Sequence, residues 1–191
     1  MQETFIQGKT FDRNGFAGHP LSKGEYEDCS FNNCDFSYYE LSGFKFVDCS
    51  FNDCNLSLSK LNNTVFQGVQ FNGCKMLGLR FETCNEFGRS FTFNSCQLAD
   101  SSFHKGKIRK TIFKDSQLQR NDFSEADLTN AMFDNCDLSH AIFNHTILER
   151  ADFRSSYNYT IDPEINRIKK AKFSILGIAG LLDKYGIDIE M

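Results

Sequence analysis

Proline is almost missing from this chain: Pro20 and Pro163 are the only two in 191 residues. No linker composition is visible anywhere, so a single folding unit is expected. Long apolar runs are missing too. No stretch of 18 apolar residues occurs, and the first residues do not read as a secretory signal, so neither membrane insertion nor secretion is expected and a cytoplasmic protein is. Strong positive charge is absent. A net charge of −4 argues against direct binding of nucleic acid. Also missing are a glycine-rich phosphate loop, a metal-ligand cluster and a nucleophile motif, so no catalytic residue, metal or cofactor is expected.

What the chain has is repetition. Phe11, Phe31, Phe51 and Phe71 recur every 20 residues, as do Phe93, Phe113, Phe133, Phe153 and Phe173 after one step of 22. A period of five lies inside this one. Every fifth residue from Ile6 to Phe81, and again from Phe93 to Phe153, is large and apolar in a chain only 40% hydrophobic. A helix advances about 140° net over five residues, which scatters such residues around its surface. A flat strand sends positions i and i+5 to opposite faces. The pattern fits a chain that turns a corner every five residues. The residue two before each apolar centre is usually small (Cys34, Cys54, Thr64, Cys74, Ser101, Ala126, Ala131) and shares the inward side with it. The remaining three positions are mostly polar. Internal repeats of this kind decide the fold.

Twenty residues then make one coil of four sides. The first side carries the Phe column. The second carries Phe16, Phe36, Leu56, Met76, Leu98, Leu118 and Leu138; the third Leu21, Leu41, Leu61, Phe81, Phe103, Phe123 and Phe143; the fourth Ile6, Tyr26, Phe46, Phe66, Ile108, Leu128, Leu148 and Ile168. At a strand spacing of about 4.8 Å, roughly eight coils give a rod on the order of 40 Å long. All eight cysteines occupy small inward slots, counting Cys84 by continuing the first register. Buried and reduced, each acts as a small hydrophobe. His104, His140 and His145 fall in outward slots and are expected to be solvated, and His19 lies in an irregular first coil.

These residues resemble the pentapeptide-repeat family, whose consensus is roughly A(D/N)LXX. Here it stands as Ala126-Asp127-Leu128-Thr129-Asn130, Cys136-Asp137-Leu138-Ser139-His140 and Ala151-Asp152-Phe153-Arg154-Ser155. The resemblance spans about residues 4–173. It implies an all-β solenoid, a right-handed quadrilateral β-helix of about eight coils; the handedness comes from the resemblance alone. Residues 1–173 form the β-helix and 174–191 a short C-terminal capping helix and tail, with Ser174 as N-cap and Gly186 as the residue that ends it.

Three departures from the repeat mark candidate surfaces. Glu86 falls where an apolar centre is due, and two extra residues restore the register at Phe93. A bulge is expected, with Phe87 swung inward and Gly88 at an unusual backbone angle; Glu86, Phe87, Gly88 and Arg89 form the candidate partner loop. Tyr39 and Phe44 place bulky groups in small slots, which suits core adjustment. At the C-terminus Asn158 and Pro163 stand where centres are due. The helix that follows is apolar nearly all round, so it must be covered on more than one side. Ile175, Leu176, Ile178, Leu181, Leu182 and Tyr185 are the expected interface of a homodimer, Leu181→Asp is expected to abolish it, and Ile187-Asp188-Ile189 could add a strand.

Charge is uneven along the rod. Residues 104–116 carry five cations against one acid, and residues 117–164 carry nine acids against three arginines. Asp122, Glu125, Asp127, Asp134, Asp137, Glu149 and Asp152 form a candidate acidic face. Dimeric pentapeptide-repeat proteins of the quinolone-resistance type (Qnr and MfpA) resemble B-DNA in size and charge and bind type II topoisomerases. The segment from Leu181 to Ile189 looks similar to their ending. The expected function is a non-catalytic protein-interaction rod, and the alternative that the resemblance implies is a DNA mimic that binds DNA gyrase or topoisomerase IV and protects against quinolones. Ice binding through a threonine ladder is excluded, because the outward slots hold no threonine column.

Overall fold

The computed structural model describes residues 4–13 and 21–189. Phe16 and His19 lie outside the described residues. The chain winds into a four-sided β-solenoid. Strands β1 (Thr4–Gln7), β3 (Gly24–Glu27), β5 (Lys45–Val47) and β7 (Val65–Gln67) form a parallel sheet in that order. Strands β2 (Thr10–Asp12), β4 (Ser30–Asn32), β6 (Ser50–Asn52), β8 (Val69–Asn72), β9 (Phe91–Asn94), β10 (Ile112–Lys114) and β11 (Met132–Asp134) form a second, seven-stranded parallel sheet. Its register sets Phe on Phe from Phe11 to Phe133, six complete turns. Isolated bridges continue the winding from Met132 to Asp152 and from Asp152 to Lys172. The other two sides are held by isolated parallel bridges, such as Asp35 with Asn55 and Ser102 with Asp122.

The large apolar residues stack in register because each coil repeats the one before. Ring centroids along the Phe column are 4.5 to 5.4 Å apart from Phe11 to Phe173. A second column joins Phe81, Phe103, Phe123 and Phe143. Its rings meet the first column edge-on, as Phe103 meets Phe113 at 86°. Phe44 fills the core from its small slot, stacked on Tyr26 and Phe46, while Tyr39 is half-buried at the edge of Phe36.

Between the sides the chain must turn a corner within about one residue. At most corners that residue stands two after the centre and carries a positive φ, between +49° and +62° where it is not glycine. Asp28, Asn33, Asp48, Asp53 and Asn63 suit this left-handed geometry; Tyr38, Leu58 and Lys110 adopt it as well.

Polar groups join the stacking. On the outward side of the Phe sheet Asn52 donates to Asn32 at 2.8 Å, Asn72 to Asn52 at 2.9 Å and Asn94 to Asn72 at 2.9 Å. Inward, all eight cysteines are free and buried. The thiols of all but Cys84 donate to carbonyls of the preceding coil, Cys54 to Phe31 and Cys74 to Phe51 at 3.3 Å. Burial pushes the thiols of Cys34, Cys49 and Cys84 up to about 12 and that of Cys136 up to about 11. A protonated, inaccessible thiol is a poor nucleophile. Titration with a thiol reagent is expected to count eight cysteines after denaturation and almost none before; a count near zero after denaturation would contradict free thiols.

One inward slot is badly filled. Asn121 is fully buried, and neither its amide nitrogen nor its carbonyl oxygen has a hydrogen-bond partner. An unpaired buried amide costs on the order of 1–3 kcal/mol. Alanine occupies the equivalent slot at Ala126, Ala131 and Ala141, where it is buried. Asn121→Ala is therefore expected to raise stability by about 1 kcal/mol, read from the midpoint of urea unfolding; an unchanged or lower midpoint would contradict it.

The far end is closed differently from the expectation. Asn158 is exposed and Pro163 only half-buried, whereas the off-register Tyr159 is buried, as is Ile161 in the inward slot two before Pro163. The terminal segment runs through a 3-10 turn Ile175–Gly177, a single helical turn α1 (Ala179–Leu182) and a second 3-10 turn Asp183–Tyr185. Ser174 caps it by accepting from Gly177 N at 3.1 Å, and Gly186 ends it at φ +58°. Its two inner glycines lie against Tyr159, and Ile161 N donates to Gly180 O at 2.9 Å. Residues 187–189 form no strand and are exposed.

Candidate interaction surfaces

The C-terminal segment presents one face inward and one outward. Leu181 and Leu182 are half-buried, with Leu181 packed on the last coil. Ile175 and Leu176 are 82% and 77% exposed, and Ile178, Tyr185, Ile187 and Ile189 are exposed beside them. Lys184 anchors the segment, with its ammonium 2.7 Å from both Asp162 and Glu164, and Tyr185 Oη donates to Glu164 at 2.9 Å. Of the six residues expected to pair, four therefore offer free apolar surface and two serve the rod itself.

The bulge at 84–92 reverses one expectation. Phe87 is 85% exposed, not inward. Phe91 takes the core instead, 4% exposed and tilted against Phe81 and Phe93. Gly88 does adopt a positive φ, +66°. The loop is braced from within: Asn85 Oδ1 accepts from Phe87 N at 2.9 Å, and the Arg89 guanidinium donates to the carbonyls of Asn85 and Cys84. Glu86 pairs with Lys107 at 3.5 Å.

The seven acids are not brought to one face. Asp152 lies in the ladder of the first side, Asp137 in that of the second, Asp122 in the third and Asp127 in the fourth. Most are also engaged. Asp127 is 7% exposed, with Arg109 at 2.6 Å and the Thr129 hydroxyl at 2.6 Å. Burial opposes its ionisation, but these partners outweigh burial and lower its pKa. Asp137 accepts from Gln119, Ser139 and Asn158. The Arg154 guanidinium, 2.8 Å from Asp152, lowers that carboxyl to about 2, with help from Lys172 at 3.3 Å. Glu149 meets Arg167 at 2.5 Å, Glu125 meets Lys105 at 3.6 Å, and Asp134 accepts from Ser155 at 2.8 Å. Asp122 accepts from Ser124 N at 2.8 Å and lies 3.9 Å from His104. His140 and His145 are exposed as expected, but His104 is half-buried between Asp122 and Glu125. Among the described residues no group of three or more His, Cys, Asp or Glu could hold a metal ion, and no helix is long and apolar enough to cross a membrane.

A family model described as the pentapeptide repeat region matches residues 25–91 and 86–158. The chain belongs to the pentapeptide-repeat family. No curated protein matches its sequence. Among solved pentapeptide-repeat structures, a trypsin-treated variant of QnrB1, a plasmid-mediated fluoroquinolone resistance protein, is 19% identical over 100% of both chains, with a TM-score of 0.59. Full-length QnrB1 is 20% identical over 96% of this chain and 97% of its own, with a TM-score of 0.51. At this identity the likeness is one of fold: a pentapeptide-repeat solenoid closed by a short C-terminal helix.

Proposed function

We propose that this pentapeptide-repeat chain is a non-catalytic protein-interaction rod that pairs with a second copy through its C-terminus. The observation that carries the reading is the clustered exposure of Ile175 and Leu176 beside Ile178, Tyr185, Ile187 and Ile189 at the end of the rod. An apolar patch of this kind favours association, and the same patch on two copies matches itself across a two-fold axis. Light scattering at tens of micromolar is expected to give twice the chain mass of 21.9 kDa. Leu176→Asp tests the contact better than Leu181→Asp, because Leu181 also packs on the last coil. It is expected to return the mass to one chain, and a monomeric unmodified protein would overturn the pairing.

The second reading is a DNA mimic that binds gyrase or topoisomerase IV and protects against quinolones. The end-to-end likeness to the QnrB1 solenoid supports it, and the pairing of its acids with arginine and lysine weighs against it. Gyrase supercoiling with ciprofloxacin, with and without the purified protein, separates the two. Restored supercoiling at micromolar protein, lost in Leu176→Asp, would establish mimicry. No effect on either enzyme would leave the interaction rod.

A further inference from the structure

The two-residue insertion leaves more than a bulge. A hollow of about 310 Å³ opens on the rod's corner between residues 68–70, 90–92 and 109–111. The bulge borders it, since Ser90 Oγ accepts from Gly68 N at 2.8 Å and a Cβ on Gly88 would touch the Gln67 amide oxygen at 3.0 Å. Phe87 precedes that contact by one residue and stands 85% exposed.

Charge at this corner is selective. Arg109 is committed to Asp127 at 2.6 Å, and Lys107 to Glu86 at 3.5 Å. Lys110 lines the hollow from a left-handed corner, φ +60°, and its ammonium has no carboxylate within salt-bridge distance among the described residues. The corner therefore offers an exposed aromatic on a braced loop, a hollow with Val69 and Phe91 in its lining, and one uncommitted cation.

Resting on the reading of the chain as an interaction rod, we propose that this corner docks an acidic–apolar linear segment of a partner protein. A large apolar side chain of the segment enters the hollow beside Phe87, and a carboxylate one or two residues away meets Lys110. Leaving a phenylalanine in water forgoes about 1.5–3 kcal/mol of burial, and the backbone that carries this one is braced by three hydrogen bonds within its own loop. A loop braced before binding loses less backbone entropy on docking, and aromatics are enriched in the cores of protein interfaces. The cation selects acidic segments over basic ones.

The test pans a phage-displayed library of random linear peptides on the intact protein, and measures the enriched peptides by fluorescence polarisation. Enrichment of a large apolar residue close to Asp or Glu is expected. Phe87→Ser and Lys110→Glu should each weaken binding at least tenfold, whereas Lys60→Glu, on another side, should not. Both positions are on the surface, so both variants should melt with the parent protein. Absence of enriched peptides, or equal binding by Phe87→Ser and Lys110→Glu, would overturn the proposal. Either result is separable from the pairing of the rod, which light scattering on the same variants reads independently.

Discussion

Phe113→Ala is expected to destabilise the rod by about 3–5 kcal/mol, the usual range for a buried phenylalanine. The ring is fully buried. It lies between Phe93 at 5.1 Å and Phe133 at 5.0 Å, with planes within 9° of both. Phe103 and Phe123 meet its edges at 5.7 and 6.0 Å. Four aromatic partners lose contact at once, and the stacked coils on either side cannot close the gap without breaking the sheet register of β10 with β9 and β11. For a chain of this length the loss corresponds to a fall in Tm of roughly 6–20 °C. Phe113→Leu keeps most of the volume and should lose less than half as much. A loss below about 1 kcal/mol for the alanine variant, measured by urea unfolding, would mean that the column is not a principal support of the core.

Gly180→Ala is expected to lift the terminal segment from the rod. A Cβ there would stand 2.0 Å from the Tyr159 carbonyl oxygen and 3.1 Å from its ring. Backbone cannot yield as a flexible side chain does, so α1 must move outward and stretch the bond from Ile161 N to Gly180 O. Overpacking of this kind costs about 1–3 kcal/mol. The larger effect is on what the segment carries. Its outer apolar face would no longer be held in one orientation, so the double mass expected of the parent should fall to that of a single chain, and trypsin should cut faster after Lys184. Gly186→Ala is the control. Nothing lies near its Cβ position and only its φ of +58° is disfavoured, so it should cost about 1 kcal/mol and leave the segment docked. A Gly180→Ala protein with unchanged mass and unchanged cleavage would show that the segment does not depend on this contact.

The winding was legible from sequence because a single rule fixes every inward residue, and the rule survives substitution: Tyr26, Met76 and Ile108 are buried as well as any phenylalanine. The corners were not legible. Their left-handed geometry is imposed by the neighbouring sides, which override the preference of Tyr38, Leu58 and Lys110. The bulge offered two phenylalanines, Phe87 and Phe91, for one core position. Periodicity cannot choose between them, and the choice rests on a three-dimensional fact, that Phe91 reaches Phe81 and Phe103. The closure was hidden for two reasons: Tyr159 is out of step with the repeat, and Ile161 puts a large group in the small inward slot two before Pro163. The acids read as a group in sequence yet separate in space, since residues five apart occupy adjacent sides and Asp127, Glu149 and Asp152 each meet a cation of a neighbouring coil.

Almost every strand partner in this rod lies 20 residues away in the chain, or 22 across the bulge. That separation is about one-tenth of the chain length. Parallel sheets ordinarily join distant segments and form slowly, because a long loop must close before any contact rewards it. Here each new coil needs only a short closure onto the coil already made. The relative contact order falls in the range of helical bundles, although the architecture is β. Formation can then begin at any coil and spread to its neighbours, as a zipper closes, and in a chain growing from a ribosome each 20 residues would find their template already in place.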